Sequence, residues 1–165
     1  MCNVSNSAAG PDNLPGCLFR KLALELTPSL IIIFQKSFFS GCLPDMWRLA
    51  CVRPIFKKGV KDLASNYRPV SLTCVACKLM EGIVRDAMSG FLEVNDMLTK
   101  SQHGFRAKYS CQTCLLVACR EYIKSVEHKQ DVDVIYFDFA KAFDAVNHAL
   151  LIVKLSNYGF GKYLV

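Results

Sequence analysis

Val132-Asp133-Val134-Ile135-Tyr136-Phe137-Asp138-Phe139 is the run on which the fold reading turns. β-branched and aromatic residues fill it, and apolar side chains fall on both faces of a two-residue period, the pattern of a strand buried on both sides. It is expected to be central in a sheet, with residues 140–143 turning off its end and a helix following from His148 to Tyr158. Upstream, Leu72, Val75, Ala76, Leu79, Met80, Ile83, Val84, Ala87, Met88, Phe91 and Leu92 recur at helical spacing over about six turns. Helices around an extended segment place the chain in a helix-rich α+β class.

Gly10-Pro11-Asp12-Asn13-Leu14-Pro15-Gly16 is a turn cluster that opens a helix at about Cys17. Thr27-Pro28 is expected to end that helix and begin another, reaching about Ser40, so that the two pack as a hairpin. Pro54 marks residues 49–56 as an edge strand or extended arm, followed by a turn at Lys57-Lys58-Gly59. Asn66-Tyr67-Arg68-Pro69 is a second extended stretch, because proline pushes its predecessor out of the helical region. A further amphipathic helix is expected from Ser110 to Glu127, with Leu115, Leu116, Cys119, Tyr122, Ile123 and Val126 toward a core. Residues 1–9 read as a weakly structured start.

Of 165 residues, 52% are hydrophobic and 21% charged, with a mean hydropathy of +0.24. That suits a packed core and excludes a disordered tail; 9 Gly and 6 Pro exclude a collagen-like chain. Apolar runs such as Leu30-Ile31-Ile32-Ile33-Phe34 fall far short of the ~20 residues that cross a bilayer. The start lacks the basic and apolar regions of a secretory signal. The nine cysteines, an odd number, are therefore expected as thiols in a reducing, intracellular compartment.

Net charge is +6, and its placement is informative. Between residues 47 and 68, Arg48, Arg53, Lys57, Lys58, Lys61 and Arg68 face Asp62 alone. Such a local positive field suits nucleic acid or a nucleoside triphosphate, and by composition alone it equally describes a solvated loop. Asp138, at the end of the apolar run, suits Mg²⁺ held by carboxylate and substrate phosphates, or else a cap on the following turn. Alternation along a strand would put Asp133 and Asp131 on the opposite face. Cys74-x-x-Cys77 and Cys111-x-x-Cys114 formally resemble two halves of a zinc site, but their separation exceeds ribbon spacing and a helix suits such thiols as small hydrophobes.

Four blocks then add up to a resemblance. Pro54-Ile55-Phe56-Lys57-Lys58-Gly59, Asn66-Tyr67-Arg68-Pro69-Val70-Ser71-Leu72, Gln102-His103-Gly104-Phe105-Arg106 and Tyr136-Phe137-Asp138-Phe139-Ala140-Lys141-Ala142-Phe143-Asp144 follow one another in order. Together the chain resembles the reverse transcriptase of LINE-type, non-LTR retrotransposons, over nearly its whole length from Gly10.

The resemblance implies RNA-templated DNA synthesis by a right-hand polymerase fold, with fingers over about residues 10–130 and the start of the palm over about 131–165. It implies an RNA template, a DNA primer, deoxynucleoside triphosphates and Mg²⁺ as ligands, and no membrane. Asp138 matches the first catalytic, metal-holding aspartate. Phe143 matches the bulky residue that blocks a ribose 2′-OH. Lys57, Lys58 and Arg68 match basic residues that clamp the incoming triphosphate, and Gln102, Gly104 and Arg106 match the block along the template. The family's aromatic-x-Asp-Asp segment is absent, since no two aspartates are adjacent in the chain. The expectation is therefore a fragment, a decayed copy or partial gene, inactive alone; the alternatives are a non-catalytic nucleic-acid-binding remnant and a zinc module.

Overall fold

A computed structural model of the chain describes residues 7–139 and 142–161. The described elements are helices α1 (Gly16–Lys21) and α2 (Ala23–Ser40), strands β1 (Cys51–Phe56) and β2 (Tyr67–Leu72), and helices α3 (Val75–Val94), α4 (Cys111–Glu127) and α5 (His148–Asn157). Among the described residues, 7–87 with 161 form one compact unit and Met88–Phe160 a second. The chain is thus helix-rich, with a small two-stranded sheet. Of the expected weak start, residues 1–6 lie outside the described residues, as do Ala140, Lys141 and residues 162–165.

The first break between helices falls at Leu22, not at Thr27-Pro28. Leu22 leaves helical geometry with φ −108° and ψ 32°, yet its N–H still reaches Leu18 O at 2.9 Å and its carbonyl accepts from Leu26 N–H at 2.9 Å. Pro28 is carried inside α2, where it supplies no N–H to Leu24 O. Thr27, expected to cap a new helix, instead turns its hydroxyl onto Ala23 O one turn back, at 2.5 Å. α1 and α2 are therefore joined through a single residue, which leaves no loop for a helical hairpin. Gly41, at φ 65°, ends α2 in the left-handed conformation that glycine adopts without penalty.

β1 and β2 pair antiparallel, with Arg53 opposite Val70, Pro54 opposite Pro69 and Ile55 opposite Arg68. The ladder continues as Lys57 N–H donates to Asn66 O at 2.8 Å. Hydrogen-bonded rungs alternate along such a ladder, so Pro54 and Pro69 occupy a rung whose N–H groups would point outward, the position at which a missing N–H breaks no bond between the strands. Gly59 (φ 93°) turns the connection, and Asn66 Nδ2 donates across it to Val60 O at 2.7 Å.

The buried hydrophobic side chains among the described residues are Phe19, Cys74, Val75, Ala76, Cys77 and Met80, all in the first unit. Leu26, Leu30, Trp47 and Leu79 pack against Phe19, Val75 and Ala76, and Phe34 meets Trp47 edge-on at 5.8 Å. Gly10 lies against the backbone that leads into α3: a Cβ there would sit 2.6 Å from Thr73 C and O and from Cys74 N.

Two further expectations are corrected. Residues 131–139 form no strand, and Ile135, Tyr136, Phe137 and Phe139 are 74–88% exposed. A strand needs a neighbour to take up its backbone hydrogen bonds, and among the described residues the only strands, β1 and β2, pair with each other. With the strand goes the alternation that set Asp131 and Asp133 opposite Asp138. The apolar stripe of α4 is likewise open, with Leu115, Leu116, Ile123 and Val126 59–68% exposed and Cys119 exposed as well. What defines α4 is its start: Ser110 Oγ accepts from Thr113 N–H at 3.2 Å while Thr113 Oγ1 accepts from Ser110 N–H at 2.9 Å, a reciprocal cap.

Gly10→Ala should lower stability by about 1–3 kcal/mol, since the clash is with backbone that cannot rotate away. Gly90→Ala, in open space on α3, should raise it by up to about 1 kcal/mol through helix propensity. Urea midpoints of the two variants moving in the same direction would contradict this packing.

Candidate nucleic-acid and nucleotide interface

The register of the ribbon sorts its cations. Residues opposite one another share a face, so Arg53, Ile55 and Lys57 stand on the same side as Arg68 and Val70, while Phe56 and Tyr67 stand on the other, their rings 5.5 Å apart. Three cations, Arg53, Lys57 and Arg68, thus gather on one face, and Lys58 follows in the turn. All four are exposed, and among the described residues none is in an ion pair. Lys61 Nζ rests 5.9 Å from the centre of the Phe56 ring. Unneutralised charge on an open ribbon is held apart only by water, and a polyanion relieves its mutual repulsion.

Gln102, Gly104 and Arg106 come together in the loop between α3 and α4. Arg106 is the anchor. Its Nε and Nη2 donate to the two carboxylate oxygens of Glu93 at 2.8 and 2.7 Å, and Nη1 donates to Thr99 O at 2.9 Å and Gln102 O at 3.4 Å. Its guanidinium lies 4.4 Å from the centre of the Tyr109 ring, and its side chain is only 8% exposed. His103 Nδ1 is 2.8 Å from Thr113 Oγ1, which ties the loop to the cap of α4, and its ring meets Tyr109 edge-on at 5.1 Å. Hydrogen bonding to Arg106 holds the Glu93 carboxyl below the usual carboxylate range, and the same bond raises Arg106. Gln102 Nε2 donates to Gly104 O at 3.3 Å. The guanidinium of Arg106 is thus committed within the loop, while Gln102 and Gly104 are exposed.

Asp138 is exposed, so water already solvates the carboxylate that a buried strand would have had to pair, and no described residue bonds to it. Phe143 lies with Asp144 in the turn before α5 and meets Phe105 nearly perpendicular, ring centres 6.2 Å apart. Among the described residues no group of three His, Cys, Asp or Glu side chains could hold a metal ion. Asp138 is a hard oxygen donor of the kind that suits Mg²⁺, one carboxylate where a two-ion site uses several.

The cysteines divide. Cys74 and Cys77 are buried at the start of α3, where Cys74 Sγ donates to Met46 O at 3.5 Å and Cys77 Sγ to Glu81 Oε1 at 3.4 Å. Burial, reinforced by the Glu81 charge, pushes the Cys77 thiol up to about 12, and burial with the nearby Asp12 raises Cys74. Both stay protonated donors at neutral pH. Cys111 and Cys114 are exposed on α4.

Residues 55–165 match the family model described as reverse transcriptase (RNA-dependent DNA polymerase). The chain belongs to the reverse transcriptase family. Similar proteins include the probable RNA-directed DNA polymerase from transposon BS of Drosophila melanogaster, 24% identical over 147 residues, which cover 88% of this chain and 16% of that protein. The RNA-directed DNA polymerase from mobile element jockey of the same species is 28% identical over 148 residues, 89% of this chain and 16% of that protein. The probable RNA-directed DNA polymerase from transposon X-element is 23% identical over 152 residues, 92% of this chain and 17% of that protein. This reverse transcriptase chain thus spans 16–17% of the length of these relatives, and its likeness is to the non-LTR lineage that the four sequence blocks indicated. No helix among the described residues is long and apolar enough to cross a membrane.

Sequence reasoning missed Glu93. It lies thirteen residues from Arg106, and no helical or strand period links positions on opposite sides of a loop. The Arg106–Glu93 tie fixes the pH response of this reverse transcriptase loop. Because the Glu93 pKa is lower in the folded chain than in the unfolded one, the tie is complete above the ordinary glutamate value of about 4.3 and is lost as pH falls through the depressed folded value. Protection factors of the amides at residues 99–109, with each rate referred to the unfolded chain at the same pH, should fall across that acid window in the wild type. In Glu93→Gln protection should already be low at pH 7, with no acid transition; a wild type and a Glu93→Gln variant with the same protection profile against pH would contradict the assignment.

Proposed function

We propose that this chain is the nucleotide- and template-holding segment of an RNA-directed DNA polymerase of a non-LTR retrotransposon, with fingers over about residues 10–130 and the start of the palm over about 131–165 of a right-hand fold. The observation that carries the reading is the ribbon face of Arg53, Lys57 and Arg68, exposed and without ion pairs, inside a segment that matches the reverse transcriptase family. Lys57, Lys58 and Arg68 hold the phosphates of an incoming deoxynucleoside triphosphate or of the strand itself. Gln102, Gly104 and Arg106 lie along the RNA template, and Arg106 shapes the loop that presents the other two. Phe143 excludes a ribose 2′-OH by bulk.

Asp138 supplies one ligand to Mg²⁺, a hard ion that binds one or two carboxylates together with substrate phosphates. In-line phosphoryl transfer uses two ions about 3.5–4 Å apart, held by several carboxylates, and no such cluster exists among the described residues. The 165 residues alone bind nucleic acid and do not polymerise. This also accommodates the reading of the chain as a binding remnant, which differs in history and not in present chemistry.

The chain should bind RNA and DNA with little sequence preference and with affinity that falls steeply with salt. Replacing Lys57, Lys58 and Arg68 together by Ala should weaken binding to single strands and reduce the slope of log K against log salt by about 2, each lost phosphate contact removing about 0.7. A triple variant with the wild-type slope would refute the ribbon's role.

Primer extension on an RNA template with Mg²⁺ or Mn²⁺ should yield no product from the wild-type chain or from Asp138→Asn. Template-dependent extension that disappears in Asp138→Asn would mean that another carboxylate completes the site.

A further inference from the structure

We propose that Phe105 is a nucleobase-stacking residue, presenting the face of its ring to a base of a single-stranded RNA or DNA. The inference rests on the reading of this chain as a nucleic-acid-holding segment and adds a contact that depends on the base rather than on the phosphate. Phe105 is 93% exposed and has φ 60°, the left-handed region in which a bulky L residue is strained.

Its position is set by ties on both sides rather than by burial. On one side Arg106 is locked to Glu93, Thr99 and Gln102; on the other, His103 sits against Thr113. The edge-on contact with Phe143, itself 78% exposed, uses at most one face of the Phe105 ring and braces it from the side.

Charge selects the occupant. Residues 97–109 contain no acid. Lys100 and Lys108 are exposed and in no ion pair among the described residues, while Arg106 is already neutralised. An apolar peptide would use the ring and leave the lysines unanswered, and a free phosphate would use the lysines and leave the ring bare. A single strand brings a π-face and a phosphodiester together, and stacking on an aromatic tolerates any base.

The test compares binding of the purified 165-residue chain to a fluorescent single-stranded oligothymidylate and to an abasic oligomer of the same length and charge. The wild type should prefer the base-bearing strand by about 5- to 150-fold, the range of aromatic stacking contributions. Phe105→Ala should abolish that preference and leave the salt slope unchanged, since stacking releases no counterions, while Phe105→Tyr should retain it. Because the side chain is almost wholly exposed, circular dichroism of both variants should match the wild type. Equal affinity of the wild type for the two oligomers, or a Phe105→Ala variant that keeps the preference, overturns the proposal. Salt-sensitive binding without base preference would do so while leaving the ribbon's role intact; base preference with a normal Lys57/Lys58/Arg68 triple variant would remove the ribbon's role and keep Phe105. A Phe105→Ala change that only abolishes self-association in light scattering would show that the ring packs on a second copy, and would also refute it.

Discussion

The first unit depends on the close approach of Gly10 to the backbone at Thr73 and Cys74. That contact brings the entry of α3 against the turn cluster at the start of the chain, and the side chains that follow, Val75, Ala76 and Cys77, become the most buried part of the described structure. The rest of the unit is arranged around this point. Met46 O and Trp47 O lie next to the Cys74 and Cys77 sulfurs, Phe19 closes the cluster, and the ribbon, whose second strand ends at Leu72, leads directly into it. Apolar burial here is small in area, so its value lies in fit. A single added carbon at position 10 has nowhere to go.

The surfaces proposed to meet ligand, the ribbon and the loop between α3 and α4, are held by polar and local forces rather than by apolar burial. The ribbon gathers its cations on one face through register alone. The loop between α3 and α4 is held by one bidentate arginine, two carbonyls and a reciprocal helix cap. Rigid presentation of exposed groups is what a binding surface needs, because a ligand then meets side chains whose ordering cost is already met. Asp138 has no such support among the described residues.

The sequence made much of this legible, for reasons that are local. Pro54, Gly59 and Pro69 punctuate the ribbon, Ser110 and Thr113 mark a helix start, and the apolar period from Val75 to Leu92 defines α3; each signal acts within a few residues of its own position. What failed depends on partners. Residues 132–139 have the composition of a central strand, and composition does not supply the neighbours that would make them one. The stripe on α4 likewise specifies a face without specifying what covers it. Thr27-Pro28 misled because a threonine hydroxyl can turn back onto the helix as readily as it can cap one. Glu93 and Phe105 escaped because one acts across a loop and the other matters for being uncovered.

The paired prolines of the ribbon carry a consequence for how it meets other molecules. At the rung of Pro54 and Pro69 both long edges lose an outward-pointing donor at the same level, so an approaching strand would find its hydrogen-bond ladder interrupted on either side. A small, basic, solvent-exposed ribbon would otherwise be a template for sheet growth between molecules. With its borders closed in this way, the ribbon can remain monomeric at its margins and engage ligands broadside, through the side chains of its two faces.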